Sequence, residues 1–258
     1  MLRRPPRAEL EGAVIDIVGY RENGRALSGQ VEMATLVVPL IISFGAPFNI
    51  ALGRAPTAED RWGSFTSGLF AGHVVIDSAG AAECIQIDFT PLGAWRFFGM
   101  PMSELTGRMV ATDDLGDRAI EELRRRLADE PEWDRRLDLA GTFVLARLRQ
   151  SVPADPAIEW ALAAIAASKG QLRIEKLAER LDWSRKHLAR RFNDAIGLPP
   201  KALARMIRFH NAVATARAET DADWAGIAAA CGYADQAHLT RDFLEFSGTT
   251  PNRWRHAA

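Results

Sequence analysis

Residues 171–258 spell out one pattern twice. Leu177-Ala178, Asp182-Trp183-Ser184, Leu188, Arg190, Phe192, Gly197 and Pro200 return as Ile227-Ala228, Gly232-Tyr233-Ala234, Leu239, Arg241, Phe243, Gly248 and Pro251. The offset is 50 residues at the alanines and 51 from the leucines onward. A duplication of this length predicts one supersecondary unit used twice, side by side. In the first copy Ile174, Leu177, Ala178 and Leu181 fall at i, i+3, i+4 and i+7, the spacing of one buried helix face. Asp182-Trp183 then reads as a turn, and Leu188, Phe192 and Ile196 as the inward stripe of a second helix. The second copy repeats this with Ile227 and Ala228, a turn at Gly232, and the stripe Leu239, Phe243 and Phe246. Each unit is therefore a helix-turn-helix.

Fixing the inward stripes fixes what faces out. In the first copy these are Lys186, Ala189, Arg190 and Asn193; in the second, Gln236, Ala237, Thr240 and Arg241. Lys and Arg donate to guanine edges in a major groove, Asn and Gln pair with adenine, and a short apolar side chain can meet a thymine methyl. Ser184, an expected helix cap, and Arg185, His187, Arg191 and His238 are read as contacts to the DNA backbone. Arg190 and Arg241 fit base contact, phosphate contact or, for Arg241 above all, an ion pair within the domain. The charge is distributed to match. Residues 1–168 hold 17 Lys+Arg against 23 Asp+Glu, and residues 169–258 hold 15 against 10. A basic end on an acidic body suits a polyanion held by the end alone.

The stretches Ile227-Ala-Ala-Ala-Cys-Gly-Tyr233, Asp235-Gln-Ala-His-Leu-Thr-Arg-Asp-Phe243 and Gly248-Thr-Thr-Pro-Asn-Arg-Trp-Arg255 resemble the AraC/XylS family of bacterial transcription regulators. The resemblance covers about 90 residues. It implies seven helices with two helix-turn-helix motifs joined by a long helix, expected at 201–217, and two recognition helices in successive major grooves of double-stranded DNA. By family position the base-facing residues are Lys186, Ala189 and Arg190, then Gln236, Ala237, Thr240 and Arg241. Two departures stand out. Asp182 occupies a turn position where the family often has Gly, and Asp can adopt the left-handed conformation at some cost. Ala189 and Ala237 are short where longer polar side chains are usual.

The first 90 residues read differently. Segments 13–20, 34–44, 48–52, 64–70, 73–77 and 84–89 are short, rich in Val, Ile and Phe, and punctuated by Gly, Pro, Asn or Ser, as strands are. Ile85, Ile87 and Phe89 alternate with Gln86 and Asp88, so this strand buries one face. Pro39 confines its own strand to an edge or a bulge. Phe44, Phe48, Trp62, Phe65 and Phe70 fit either a core or a pocket. After Pro91 helices are expected at 92–98, about 115–128 and 132–148. Trp133, Leu137, Ala140, Val144 and Leu148 form a stripe that suits packing on the sheet or a dimerisation face. The stretch 89–105, with Asp113-Asp114-Leu115-Gly116, resembles an uncharacterised sensor-type domain fused to such DNA-binding ends. The sensor usual in the family is a cupin-like barrel followed by helices. The expected fold is α+β: a β-rich cupin-like barrel or sandwich over 1–150 that ends in helices, a linker at 151–157, and an all-α domain over 158–258.

Other chemistry is missing from the pattern. Cys84 and Cys231 sit in apolar segments without metal-ligand spacing, the usage of a reducing compartment. His73 is alone in the first 168 residues, where a metal-binding barrel needs clustered His and Glu. No phosphate loop, dinucleotide fingerprint or nucleophile elbow is present. Asp113-Asp114 reads as helix-start charge before Leu115. The N-terminus lacks the apolar segment of a signal peptide, and no run of 18 apolar residues exists. These readings point to a cytoplasmic, non-enzymatic DNA-binding regulator with no cofactor, no metal and no membrane span. Its partners are a small-molecule effector or a second copy of the chain, and RNA polymerase if it activates. The competing reading is a ligand-binding or enzymatic barrel whose basic helical end serves localisation.

Overall fold

The computed structural model describes residues 1–219 and 223–257. Ten strands form two sheets among these residues: β1 (Leu2–Arg4), β2 (Val14–Arg21), β3 (Leu27–Glu32), β4 (Val38–Ser43), β5 (Phe48–Leu52), β6 (Arg61–Trp62), β7 (Phe65–Ser67), β8 (Val74–Ser78), β9 (Glu83–Phe89) and β10 (Met109–Ala111). The larger sheet runs β1-β2-β9-β4-β7-β10 and the smaller β3-β8-β5-β6, with every pairing antiparallel. Their inner faces meet through Ile41, Phe65 and Cys84 on one side and Phe48 and Ile50 on the other. The outer face of the larger sheet is covered by helices.

β9 shows why. Ile85, Ile87 and Phe89 are fully buried on the outer face, while Cys84, Gln86 and Asp88 point between the sheets, as a period of two requires. Helices α1 (Pro91–Phe98), α2 (Arg118–Asp129) and α3 (Trp133–Gln150) follow. Thr90 caps α1 by accepting from the Gly93 N–H at 3.0 Å, Pro91 opens the helix, and Gly99 ends it in the left-handed conformation. Leu137, Ala140, Val144 and Leu148 of α3 are buried against β2 and β9, so that stripe packs on the sheet. Burying the larger of these four side chains rather than exposing them stabilises by roughly 1.5–3 kcal/mol each.

Several expectations shift. β1, β3, β6 and β10 are too short or too polar to show as apolar runs. Asp113 and Asp114 lie in a separate helical turn, Thr112–Leu115, and α2 starts later, capped by Asp117. Pro39 is not on an edge: β4 pairs with both β9 and β7. The ladder to β7 begins only at Leu40, and the Pro39 carbonyl accepts instead from Thr66 Oγ1 at 2.8 Å. The N and C=O of one strand residue point the same way, so the missing donor faces a side-chain hydroxyl and costs no ladder bond.

Residues 151–155 run irregularly from α3 into the helical part, made of α4 (Pro156–Ala167), α5 (Ile174–Arg180), α6 (Arg185–Ile196), α7 (Pro200–Ala218), α8 (Trp224–Ala230), α9 (Gln236–Ser247) and α10 (Pro251–Ala257). Apolar contacts are continuous from the outer face of the larger sheet into these helices.

Candidate nucleic-acid interface

The duplication is visible in every helix boundary. α5 and α8 each have seven residues, offset by 50; α6 and α9 each have twelve, offset by 51. The extra residue falls in the second turn. Ser184 caps α6, accepting from the His187 N–H at 3.1 Å, and Asp235, not Ala234, caps α9, accepting from the His238 N–H at 2.7 Å. Asp182 has φ 51° and Gly232 φ 76°, so both turns use the left-handed region and Asp182 adopts what its counterpart takes as glycine. Gly197 and Gly248 end α6 and α9 in the same conformation, and Pro200 and Pro251 open the next helices. Each turn aromatic stands edge-on to a recognition-helix histidine: Trp183 to His187 at 4.7 Å and Tyr233 to His238 at 5.2 Å.

These stripes orient both helices. Leu188, Phe192, Ile196, Leu239, Phe243 and Phe246 are fully buried. Lys186 and Arg190 are exposed on α6, with Ala189 and Asn193 half-buried beside them. On α9, Gln236, Ala237 and Arg241 are exposed and Thr240 is half-buried. Thr240 Oγ1 donates to the Gln236 carbonyl at 2.9 Å, and Arg241 Nε to the Ala237 carbonyl at 3.3 Å. Lys186, Arg190 and Arg241 have no ion-pair partner among the described residues, so the ion pair weighed for Arg241 is not formed.

The residues read as backbone contacts divide. Ser184 and Arg185 are exposed at the start of α6, and Arg185 reaches Glu175 only at 3.9 Å. His187 and His238 are half-buried against their aromatics. Arg191 points away from that group: its Nη2 donates to Asp155 Oδ2 at 2.6 Å, and the guanidinium holds the Asp155 carboxyl below the usual carboxylate range. It ties α6 to the start of α4.

The cation that fixes α9 was not among the residues the repeat singles out. Arg205, on α7, donates from Nη2 to Asp242 Oδ1 at 2.7 Å and to Glu245 Oε2 at 2.6 Å. Asp242 is 1% exposed. A signal existed: Asp242 lies in the apolar stripe beside Phe243, and a carboxylate there demands a cation from elsewhere. Arg208 of α7 also donates to the Gly232 carbonyl at 3.1 Å, bracing the second turn.

The β-rich body touches both units at the same point, the closing glycine of the recognition helix. Thr106 Oγ1 donates to the Gly197 carbonyl, and Ser103 Oγ to Asp194 Oδ1 at 3.3 Å. The His73 ring lies against Gly248, and the Ala34 N–H donates to the Phe246 carbonyl at 2.7 Å. Helix starts, where helix-turn-helix proteins meet bases, stay clear of these contacts.

Between the sheets is a cavity of about 260 Å³, whose lining includes Phe48, Phe65 and Phe70. Phe44 instead packs on Trp133, and Trp62 joins the inner core. Burial, with Glu22 and Glu83 adding to it, pushes the Cys84 thiol up to about 12, the opposite of a nucleophilic cysteine. Among the described residues no three His, Cys, Asp or Glu side chains are grouped to hold a metal ion, and no helix is long and apolar enough to cross a membrane.

Residues 177–257 match a family model described as a helix-turn-helix domain, which supports a DNA-binding transcription regulator. No curated protein sequence matches the chain. Similar solved structures include the C-terminal domain of AraT, a response regulator from Geobacillus stearothermophilus, at 27% identity over 42% of this chain and 89% of that one, with a TM-score of 0.38. ToxT from Vibrio cholerae is 10% identical over 93% of this chain and 98% of its own, with a TM-score of 0.47. ToxT with an unsaturated fatty acid bound is 9% identical over 98% and 96%, with a TM-score of 0.44. At TM-scores below 0.5 these are loose likenesses.

Proposed function

We propose that this chain, whose residues 177–257 are an AraC-type helix-turn-helix domain, is a sequence-specific transcription regulator that reads two successive major grooves with α6 and α9. The observation that carries the reading is the pair of equal-length helices, each with a side-chain cap at its start, a left-handed glycine at its end and exposed polar residues in its first turns. Lys186, Ala189, Arg190 and Asn193 read one groove, and Gln236, Ala237, Thr240 and Arg241 the next. Ser184, Arg185, His187 and His238 face the phosphates, while Arg191, read with them from the sequence, is held by Asp155.

On this reading residues 1–150 are the sensing or dimerising part, 151–157 the connection and 158–258 the reader. The cavity between the sheets supports a small-molecule effector. Its lining includes Ala34 and Gly72, and the Ala34 N–H and the neighbouring His73 touch the end of α9, so an occupant would bear on the second reader.

In vitro selection of bound DNA from a random pool tests the function. The expected site is non-palindromic, with two subsites about one helical turn apart. Arg190→Ala should then lose about 1–3 kcal/mol of discrimination at one base step. A uniform loss over all sequences would make Arg190 a phosphate contact, and a site with one subsite would rule out engagement of both helices.

A further inference from the structure

The cavity has one charged side chain in its lining among the described residues, and it is acidic: Glu32. Its walls are apolar, from Ile41 and Phe65 on the larger sheet and Phe48, Ile50 and Ile76 on the smaller. Gln30 and Glu32 of β3 line it alongside Gln86 of β9 and Tyr20 of β2. Among the described residues no Lys, Arg or His side chain lines it. β3 is an edge strand whose partner β8 places Glu32 beside Val74 and Gln30 beside Ile76, so both polar side chains share the inward face with those apolar residues. Gln30, Glu32 and Thr35 are exposed, which marks the side on which the cavity opens.

Glu32 has no hydrogen-bond or ion-pair partner among the described residues. Desolvation first, and then the charge of Asp88, pushes its carboxyl above the usual range, an effect that its exposure at the cavity mouth keeps modest. Asp88 is itself pushed up, by burial first and then by Asp16, against the opposing effects of a Gln86 hydrogen bond and Arg3. Arg3 lies 3.5 Å from Asp16 with a side chain 67% exposed, and it is not part of the cavity lining. Met1, at the rim, belongs to the approach to edge strand β1. At the open side of the cavity Glu32 is an unpaired acceptor, placed to meet the charged end of an entering ligand.

We propose that the cavity between the sheets binds a hydrophobic amine, its apolar body among Phe48, Ile50 and Phe65 and its protonated nitrogen donating to Glu32, with Gln86 and Gln30 as further acceptors. This rests on the reading of the cavity as an effector site. A carboxylate or phosphate ligand would bring its negative charge beside that of Glu32, where no Lys, Arg or His side chain of the described residues lines the cavity to receive it. A neutral ligand would fill the apolar part and leave Glu32 as it is.

The test uses the full chain and three probes of one shape: 4-phenylbutylamine, 4-phenylbutanol and 4-phenylbutyrate, compared by calorimetry and thermal shift. The amine should bind about tenfold more tightly than the alcohol, the size of one charge-assisted hydrogen bond, and the carboxylate more weakly than both. Glu32→Gln should equalise amine and alcohol. Gln30→Lys, which places a cation at the same end, should shift the preference toward the carboxylate, and guards against a Glu32 variant that folds poorly. Binding of the carboxylate at least as tightly as the amine, an amine preference that survives Glu32→Gln, or no binding of any probe would overturn the proposal. Selected DNA is titrated in parallel: a chain that binds the amine but no DNA loses the regulator reading and keeps this one.

Discussion

Arg205 on α7 and Asp242 on α9 lie 2.7 Å apart, and the carboxylate of this pair is buried. The same guanidinium reaches Glu245 one turn further along α9, and both acids push the Arg205 pKa up. The helix joining the two units thus grips the second reader from its inner side. Arg205→Ala strands the Asp242 carboxylate and should cost about 3 kcal/mol, typical of breaking a buried pair from one side. Chemical denaturation measures it, and footprinting should show protection weakening at the second subsite first. Arg205→Lys should recover only part, since an ammonium cannot reproduce the fork across two carboxylates.

Asp182 and Gly232 supply a second prediction, because one turn is built with each. Asp182→Gly removes a side chain from the left-handed region at the price of some backbone entropy, for a net gain of about 0.5–1 kcal/mol. Gly232→Ala should lose at least about 1 kcal/mol, since a Cβ there also lies 2.8 Å from the Gln171 side chain. Melting curves of the two variants should move in opposite directions.

Arg185 and Arg191, both exposed on α6, should behave differently on DNA. Arg185 is exposed and only loosely paired, so Arg185→Ala should lower the salt slope of binding by about one unit. Arg191 is spent on Asp155, so Arg191→Ala should leave the slope nearly unchanged. It should cost up to about 1 kcal/mol of stability, as expected of a partly exposed pair. Affinity measured across a salt series separates the two.

How much of this was legible depends on the range of the interaction. The two readers are written locally: Ser184, Gly197, Gly248 and Pro251 act within a few residues, and the stripes repeat at helical spacing, so faces and boundaries follow from the pattern. What escaped was set at a distance. Arg205 and Asp242 are 37 residues apart, and only the acid's place in an apolar stripe hinted at a partner. β3, with the sequence LSGQVE, owes its strand state to β8 rather than to its own composition. Pro39 was misjudged because the neighbour that excuses it, Thr66, is known only once β7 is in place. The cavity's acidic end needed Glu32 and Gln86, from different sheets, to be brought face to face.

His210 links the body to α7 and carries the last prediction. Burial lowers its pKa and Arg217 lowers it further, while the nearby Ala34 backbone opposes both. The same Ala34 donates to Phe246, so the histidine sits where the body meets the second reader. A histidine whose folded pKa is depressed binds fewer protons folded than unfolded. Above the ordinary value near 6.5 both states are neutral and the native state keeps its full stability. As the pH falls below that value the unfolded chain takes up a proton that the folded one resists, and stability drops until the folded pKa is passed. Glu32 and Asp88, with raised pKa values, have the opposite sign and gain stability as they protonate, so the total curve mixes the two. The informative quantity is therefore the difference between the natural chain and His210→Gln. Denaturation midpoints of the two should run parallel from pH 7 to 8 and converge or cross between about 6.5 and 5.5. If the histidine's place at Ala34 matters for the reader, the same window should show altered affinity for selected DNA in the natural chain and a flat response in the variant.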